Sequence, residues 1–203
     1  MDENKRVREL HPKYKDYVEL FEDTETLGPK TILAHAIYLS DKEFERLAKS
    51  QTKIAHCPTS NFFLKSGWMP VSQVEMAGIL YGLGTDVGAG TSMSIFTEMR
   101  HADYTQLEAT ITPAKAFYLA TQGGARALSM DDKIGNFAKG KFADFCVVNI
   151  EGIDPNYRLS ELTTDEVLSL LMYRGKSNAI ESTYVGGKRL DVDFVRERHS
   201  SRI

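Results

Sequence analysis

The stretches TILAH (31–35), KIAH (53–56) and ILYGLGTD (79–86) decide the fold. Each is an apolar run of strand length that ends on a chemically capable side chain: His35, His56 and Asp86. After the first run, Ser40 with Glu43 three residues on carries a capping-box signature. It predicts a helix to about Lys49, with Phe44 and Leu47 on one face. The second run passes into CPTSN (57–61), read as a loop, and then a helix near 71–77. The third passes into the Gly-rich VGAG (87–90) and a helix over about 92–107. Three strand–helix alternations in succession predict buried parallel strands with crossover helices, in a barrel or an open sheet. Both architectures gather functional groups at the carboxyl ends of their strands. His35, His56 and Asp86 are therefore expected to face one shared mouth.

Upstream, residues 1–30 are polar, with a short helix predicted on either side of Pro12. Downstream, Thr112-Pro113 supplies an N-cap and a first-turn proline for a helix to about Ala120. Gly123-Gly124 either ends that helix or marks a close packing contact. Residues 143–148 read as a strand, and residues 182–185 before Gly186-Gly187 as one arm of a hairpin. A complete (β/α)8 barrel takes about 250 residues. Only 111 residues precede Thr112, and they hold three good strands. A complete barrel does not fit.

Of the 203 residues, 42% are hydrophobic and 26% charged, the balance of an ordinary globular chain rather than a disordered one. A net charge of −3 and the lack of a basic stripe argue against a nucleic-acid partner. No apolar run approaches the roughly 20 residues a membrane span needs. The charged start MDENKRVREL has no signal-peptide core, so a cytoplasmic protein is expected. Cys57 and Cys146, far apart in apolar segments, read as two reduced, buried thiols.

Imidazoles and a carboxylate around one cavity suit zinc chemistry, in which the metal lowers the pKa of a bound water toward 7. Each residue has a plainer reading. A histidine after an apolar strand is often a hydrogen-bonded core residue, and Gly84-Thr85-Asp86 reads equally as an Asx turn. Three such strand ends in a row favour a shared site. His11, His101 and His199 read as surface or internally satisfied. Trp68 and Met69 read as packing residues or as lining for a flat aromatic ligand. The glycines at 88 and 90 lack the frame of a phosphate-binding loop.

The segments TILAHAIYLSDKEFERLAKS, KIAHCPTSNFFLKSG, LGTDVGAG, TPAKAFYLATQGGARALSMDDKIGNFAKGKFADFCVV and YVGGKRL resemble the amidohydrolase superfamily. Within it the resemblance is greatest to the guanine deaminases, and it covers most of the chain. It implies an α/β fold: a partial (β/α)8 TIM-type barrel, about strands six to eight with their helices, in residues 1–130. Residues 131–203 would be the β-rich part of a small C-terminal β-sandwich domain. It implies His35 as a catalytic group steadying the attacked centre, and Asp86 as zinc ligand and proton shuttle. His56, Ser60 and Asn61 would bind substrate by shaping the pocket floor. The implied reaction takes guanine and water to xanthine and ammonia. Family members carry an HxH pair and an HxxE motif that this chain lacks; Glu3, followed by Asn4, is the candidate for that glutamate. The resemblance thus implies a truncated form, gene fragment or domain with an incomplete zinc ligand set and weak or absent activity alone. The partner implied is a purine base, guanine, with a homodimer left open. The other readings are a non-catalytic interaction module, or a related chlorohydrolase or adenosine-type deaminase.

Overall fold

The computed structural model describes residues 3–190, with side chains described from residue 5 onward. The chain opens with α1 (Glu3–Leu10) and α2 (Tyr17–Asp23), the two helices expected around Pro12. Asp16 caps α2, its carboxylate accepting from the Glu19 amide at 2.9 Å.

Three strands follow: β1 (Ile32–Ala34), β2 (Lys53–His56) and β3 (Tyr81–Leu83). They form one parallel sheet in the order β1-β2-β3, with Ala34 opposite Ala55 and His56 opposite Leu83. The crossover between the first two strands is α3 (Asp41–Lys49). Its capping box is formed: the Ser40 amide and hydroxyl each donate to the Glu43 carboxylate at 2.8 Å. Phe44 and Leu47 are buried on its inner face. The second crossover holds α4 (Pro58–Phe63) and α5 (Val71–Met76).

Two expectations are corrected here. CPTSN is not a loop but most of α4; Pro58 at its first position has a fixed φ that suits helix entry and no N–H to leave unpaired. β1 is not a buried strand. It lies at the sheet edge, and Ile32 is 37% exposed because no described strand pairs with its outer side.

After β3 come α6 (Ile95–Tyr104) and α7 (Pro113–Tyr118), the latter capped by Thr112 as expected. Gly123-Gly124 does not stop the helix. The chain continues through a π turn, Leu119–Gly123, into α8 (Gly124–Ala127). The glycines serve close packing instead: a Cβ on Gly82 of β3 would lie 2.7 Å from the Gly124 Cα. Backbone meets backbone there.

The last third holds β4 (Phe145–Val148), α9 (Thr164–Arg174), β5 (Ile180–Val185) and β6 (Lys188–Arg189). The strands form an antiparallel sheet in that order. α9 leaves this sheet to pack against α6 and α7, burying Leu170, Leu171 and Met172 in the core they share with Phe96 and Met99. Cys57 is buried as expected, but Cys146 is exposed on β4, since no described element covers that face. The two thiols are not bonded to each other.

α9 also carries a capping box. The Thr163 amide and hydroxyl donate to Glu166 at 2.8 and 2.7 Å, and the Glu166 amide donates back to Thr163 Oγ1 at 3.4 Å. Thr163→Ala is expected to cost about 1 kcal/mol, read as a lower urea midpoint with an unchanged slope.

Candidate functional site

Parallel register sets the first two site residues side by side. His35 follows Ala34, whose partner Ala55 precedes His56, and the His35 amide donates to the Ala55 carbonyl at 3.0 Å. The Gly84 amide donates to the His56 carbonyl at 2.9 Å, which ties the end of β3 to the same rim. Asp86 stands three residues past Leu83. His35 Nε2 and Asp86 Oδ2 lie 3.9 Å apart, too far for a hydrogen bond but facing across one space.

The backbone at this rim is unusual. His35, Ala36 and Asp86 have φ of 73°, 49° and 46°, in the left-handed region. Non-glycine residues there cost on the order of 1–3 kcal/mol each and concentrate at functional sites.

α4 supplies the support. Ser60 donates its hydroxyl proton to Asp86 Oδ2 at 2.6 Å, and Asn61 Oδ1 meets His35 Nδ1 at 2.8 Å. With Oδ1 as acceptor the proton is on Nδ1, which leaves Nε2 as the ring atom turned toward Asp86. Ser60 and Asn61 are almost completely buried, whereas the side chains of His35 and Asp86 are about two-fifths exposed. Buried groups thus hold accessible ones.

His56 is fully buried, and neither ring nitrogen has a hydrogen-bond partner within the described residues. Burial, with His35 beside it, pushes its pKa down to about 4, so it is uncharged at neutral pH. Cys57 is pushed up to about 12, chiefly by burial and then by the Asp86 and Glu98 carboxylates. It is an inert thiol rather than a nucleophile.

Glu3 lies at the first position of α1, and its side chain falls outside the described ones. His199 lies outside the described residues altogether. His11 is exposed, and the His101 ring bonds the Thr97 carbonyl at 2.8 Å. Met69 is in the core, while Trp68 is 44% exposed.

One buried carboxylate at this end of the sheet escaped the sequence reading. Glu98 on α6 is fully buried; the Thr59 hydroxyl and amide donate to its two oxygens at 2.7 and 3.2 Å. Burial raises its pKa against the pull of those bonds. The available signal was positional: residues 95, 98, 99 and 102 mark one helical stripe, and three of the four are apolar.

A catalytic zinc site takes about three protein ligands with an open position for water. Among the described residues no group of three or more His, Cys, Asp or Glu side chains is placed to hold a metal. His35 and Asp86 offer two facing donors, so these residues alone do not fit a zinc site.

The sequence profile described as the amidohydrolase family matches residues 2–190. The chain belongs to the amidohydrolase family. It is 35% identical over 195 residues to the guanine deaminase of Escherichia coli strain K12, covering 92% of this chain and 44% of that protein. The human guanine deaminase is 35% identical over 203 residues, covering 93% and 44%. This amidohydrolase chain therefore spans less than half the length of these relatives.

Among solved structures, E. coli guanine deaminase superposes with a TM-score of 0.89 at 34% identity, covering 94% of this chain and 46% of that one. The guanine deaminase of C. acetobutylicum, with guanine bound in its active site, gives 0.81 at 32% identity and covers 94% and 46%. An adenosine deaminase from Xanthomonas campestris with bound zinc gives 0.80 at 23% identity, covering 97% and 46%, a likeness of fold alone. The chain has the mixed α/β fold of its amidohydrolase neighbours, members of the TIM-barrel superfamily.

Proposed function

We propose that this chain forms part of a guanine deaminase-like aminohydrolase, converting guanine and water to xanthine and ammonia. The observation that carries the reading is the facing pair His35 and Asp86, held from below by Asn61 and Ser60. Similarity to guanine deaminases over more than nine-tenths of the chain supports the substrate class, a purine base.

In this reading β1, β2 and β3 are strands six to eight of a (β/α)8 barrel. Residues 1–130 are the barrel portion, and residues 131–203 contribute to a C-terminal β-sandwich, with α9 returning to the barrel helices. The unpaired outer edge of β1 is where a fifth strand would add. His35 polarises the purine carbon that bears the exocyclic amine, and Asp86 holds a proton and serves as one metal ligand. His56, Ser60 and Asn61 form the floor. Glu3 is proposed as the acid/base carboxylate. The remaining zinc ligands would come from the part of the relatives' length that this chain does not match. A homodimer and a cytoplasmic location belong to the same proposal.

The experiment has two arms. The purified chain, incubated with zinc and desalted, is expected to retain far less than one metal per chain by atomic absorption, with little or no xanthine formed. Substituted for the matching segment of E. coli guanine deaminase, the same residues are expected to restore xanthine production. Stoichiometric zinc and full turnover from the isolated chain would refute the incomplete-site reading. A folded but inactive chimera would turn the assignment toward a non-catalytic scaffold.

A further inference from the structure

Glu98 is a carboxylate with no exposed surface, and the deaminase reading gives it no part. Among the described residues its hydrogen bonds go to one residue, Thr59, the second residue of α4. The next two residues of α4 are Ser60, bonded to Asp86, and Asn61, bonded to His35. We propose that Glu98 is a positioning residue: from α6 it seats the first turn of α4, so that Ser60 and Asn61 hold Asp86 and His35 in place. The word positioning rests on reading His35 and Asp86 as the reacting pair; the mechanical coupling does not.

Three physical points support the coupling. A six-residue helix cannot sustain itself in water, so the orientation of α4 is imposed by what it touches. Its early amides have no intrahelical acceptor. The Cys57 side chain makes no capping bond to them, and Glu98 provides an acceptor for one from a neighbouring helix.

The second point is stoichiometric. Thr59 presents two donors, an amide and a hydroxyl, and a carboxyl group presents two acceptor oxygens. Glutamine could accept from the Thr59 amide and donate to the Thr59 hydroxyl oxygen, keeping both contacts, whereas Glu98→Leu removes both acceptors and leaves two buried donors that α4 can satisfy only by turning.

The third point is location. Thr59, Ser60 and Asn61 are all at most 3% exposed, so no water can replace a lost bond without the helix moving. A buried carboxylate is costly to keep, and a leucine in the same helical stripe would satisfy packing alone. A group that only fills space has no need of two acceptors.

The test uses the full chain, labelled with nitrogen-15, and reads the histidine ring nitrogens by long-range proton–nitrogen correlation. In the unsubstituted chain His35 is expected to show one fixed tautomer, Nδ1 protonated, because Asn61 Oδ1 accepts there. Asn61→Ala is the positive control and should merge the two nitrogen signals toward a common value. Glu98→Leu should do the same. Leu171→Ala, on α9, destabilises the core and should leave the His35 signals where they were.

If Glu98→Leu fails to fold, Thr59→Val keeps the amide bond, removes only the hydroxyl donor and should shift His35 in the same direction. Unchanged His35 signals in Glu98→Leu or Thr59→Val, with Asn61→Ala shifted, would overturn the proposal and reduce Glu98 to a packing residue. An averaged His35 in the unsubstituted chain would overturn it too, by showing that α4 does not fix the ring. None of these readouts involves guanine or metal. Failure of the chimera to make xanthine therefore leaves them standing, and their failure leaves the chimera's result standing.

Discussion

Acidification from pH 6.5 to 4 is expected to remove about 3 kcal/mol of stability through His56 alone. The ring is fully buried with no hydrogen-bond partner among the described residues, and its pKa falls from the usual 6.5 to about 4. Below 6.5 the unfolded chain takes up a proton that the folded chain refuses, so the unfolded state binds more protons and stability falls with pH. The contribution is whole above 6.5, declines through the window and levels off below about 4. Two and a half units at about 1.4 kcal/mol each give the magnitude. His56→Leu, close in volume and without a proton to bind, isolates the effect. Urea midpoints at pH 7, 6, 5 and 4 should fall less steeply for the variant, since the carboxylates common to both chains contribute equally. Parallel midpoint curves would show that the ring finds a partner, or water, when charged.

The same histidine shows what the sequence made legible. His35, His56 and Asp86 could be placed at strand ends because period, strand length and helix punctuation are local properties, readable in windows of ten residues. Their convergence followed from one rule about parallel sheets; the register of Ala34 with Ala55 sets His35 beside His56 at one rim, but His56 is fully buried and does not face the mouth. What sequence could not give was the difference between the two imidazoles. His35 is accessible and held by Asn61, whereas His56 is sealed and has no hydrogen-bond partner among the described residues. That distinction depends on Asn61, five residues beyond His56 in sequence but folded back by α4.

α4 itself was missed because CPTSN contains proline, threonine, serine and asparagine, all of which favour turns in isolation. Packing against α6 decides otherwise, and the bonds from Thr59 to Glu98 span 39 residues. Burial at β1 was misjudged for a related reason. An apolar strand reads as interior, but Ile32 lies on an edge with which no described strand pairs. Local pattern gives an element's kind; its surroundings are a property of the assembled sheet.

The loop that carries Asp86 should tolerate substitution least at Gly90. Its amide donates to the Asp86 carbonyl at 2.6 Å, closing residues 86–90 into a tight turn. A Cβ on Gly90 would overlap the Thr85 carbonyl oxygen and lie 3.2 Å from the Asp86 carbonyl oxygen. Both neighbours are backbone, so they cannot swing aside as a flexible side chain would. Gly88 is the internal comparison: it has φ of 114°, and a Cβ there meets nothing within 4 Å. Gly88→Ala therefore tests backbone strain alone, on the order of 1–2 kcal/mol. Gly90→Ala tests steric overlap and is expected to cost about 3 kcal/mol or more, at the upper end of overpacking effects. The loop can escape the overlap only by opening, which draws Asp86 away from Ser60. In a carbon-13 carboxyl spectrum the Asp86 signal should move in Gly90→Ala and hold nearly still in Gly88→Ala. Equal urea midpoints for the two variants would mean that the turn relaxes freely, and that Ser60 rather than the loop fixes the carboxylate.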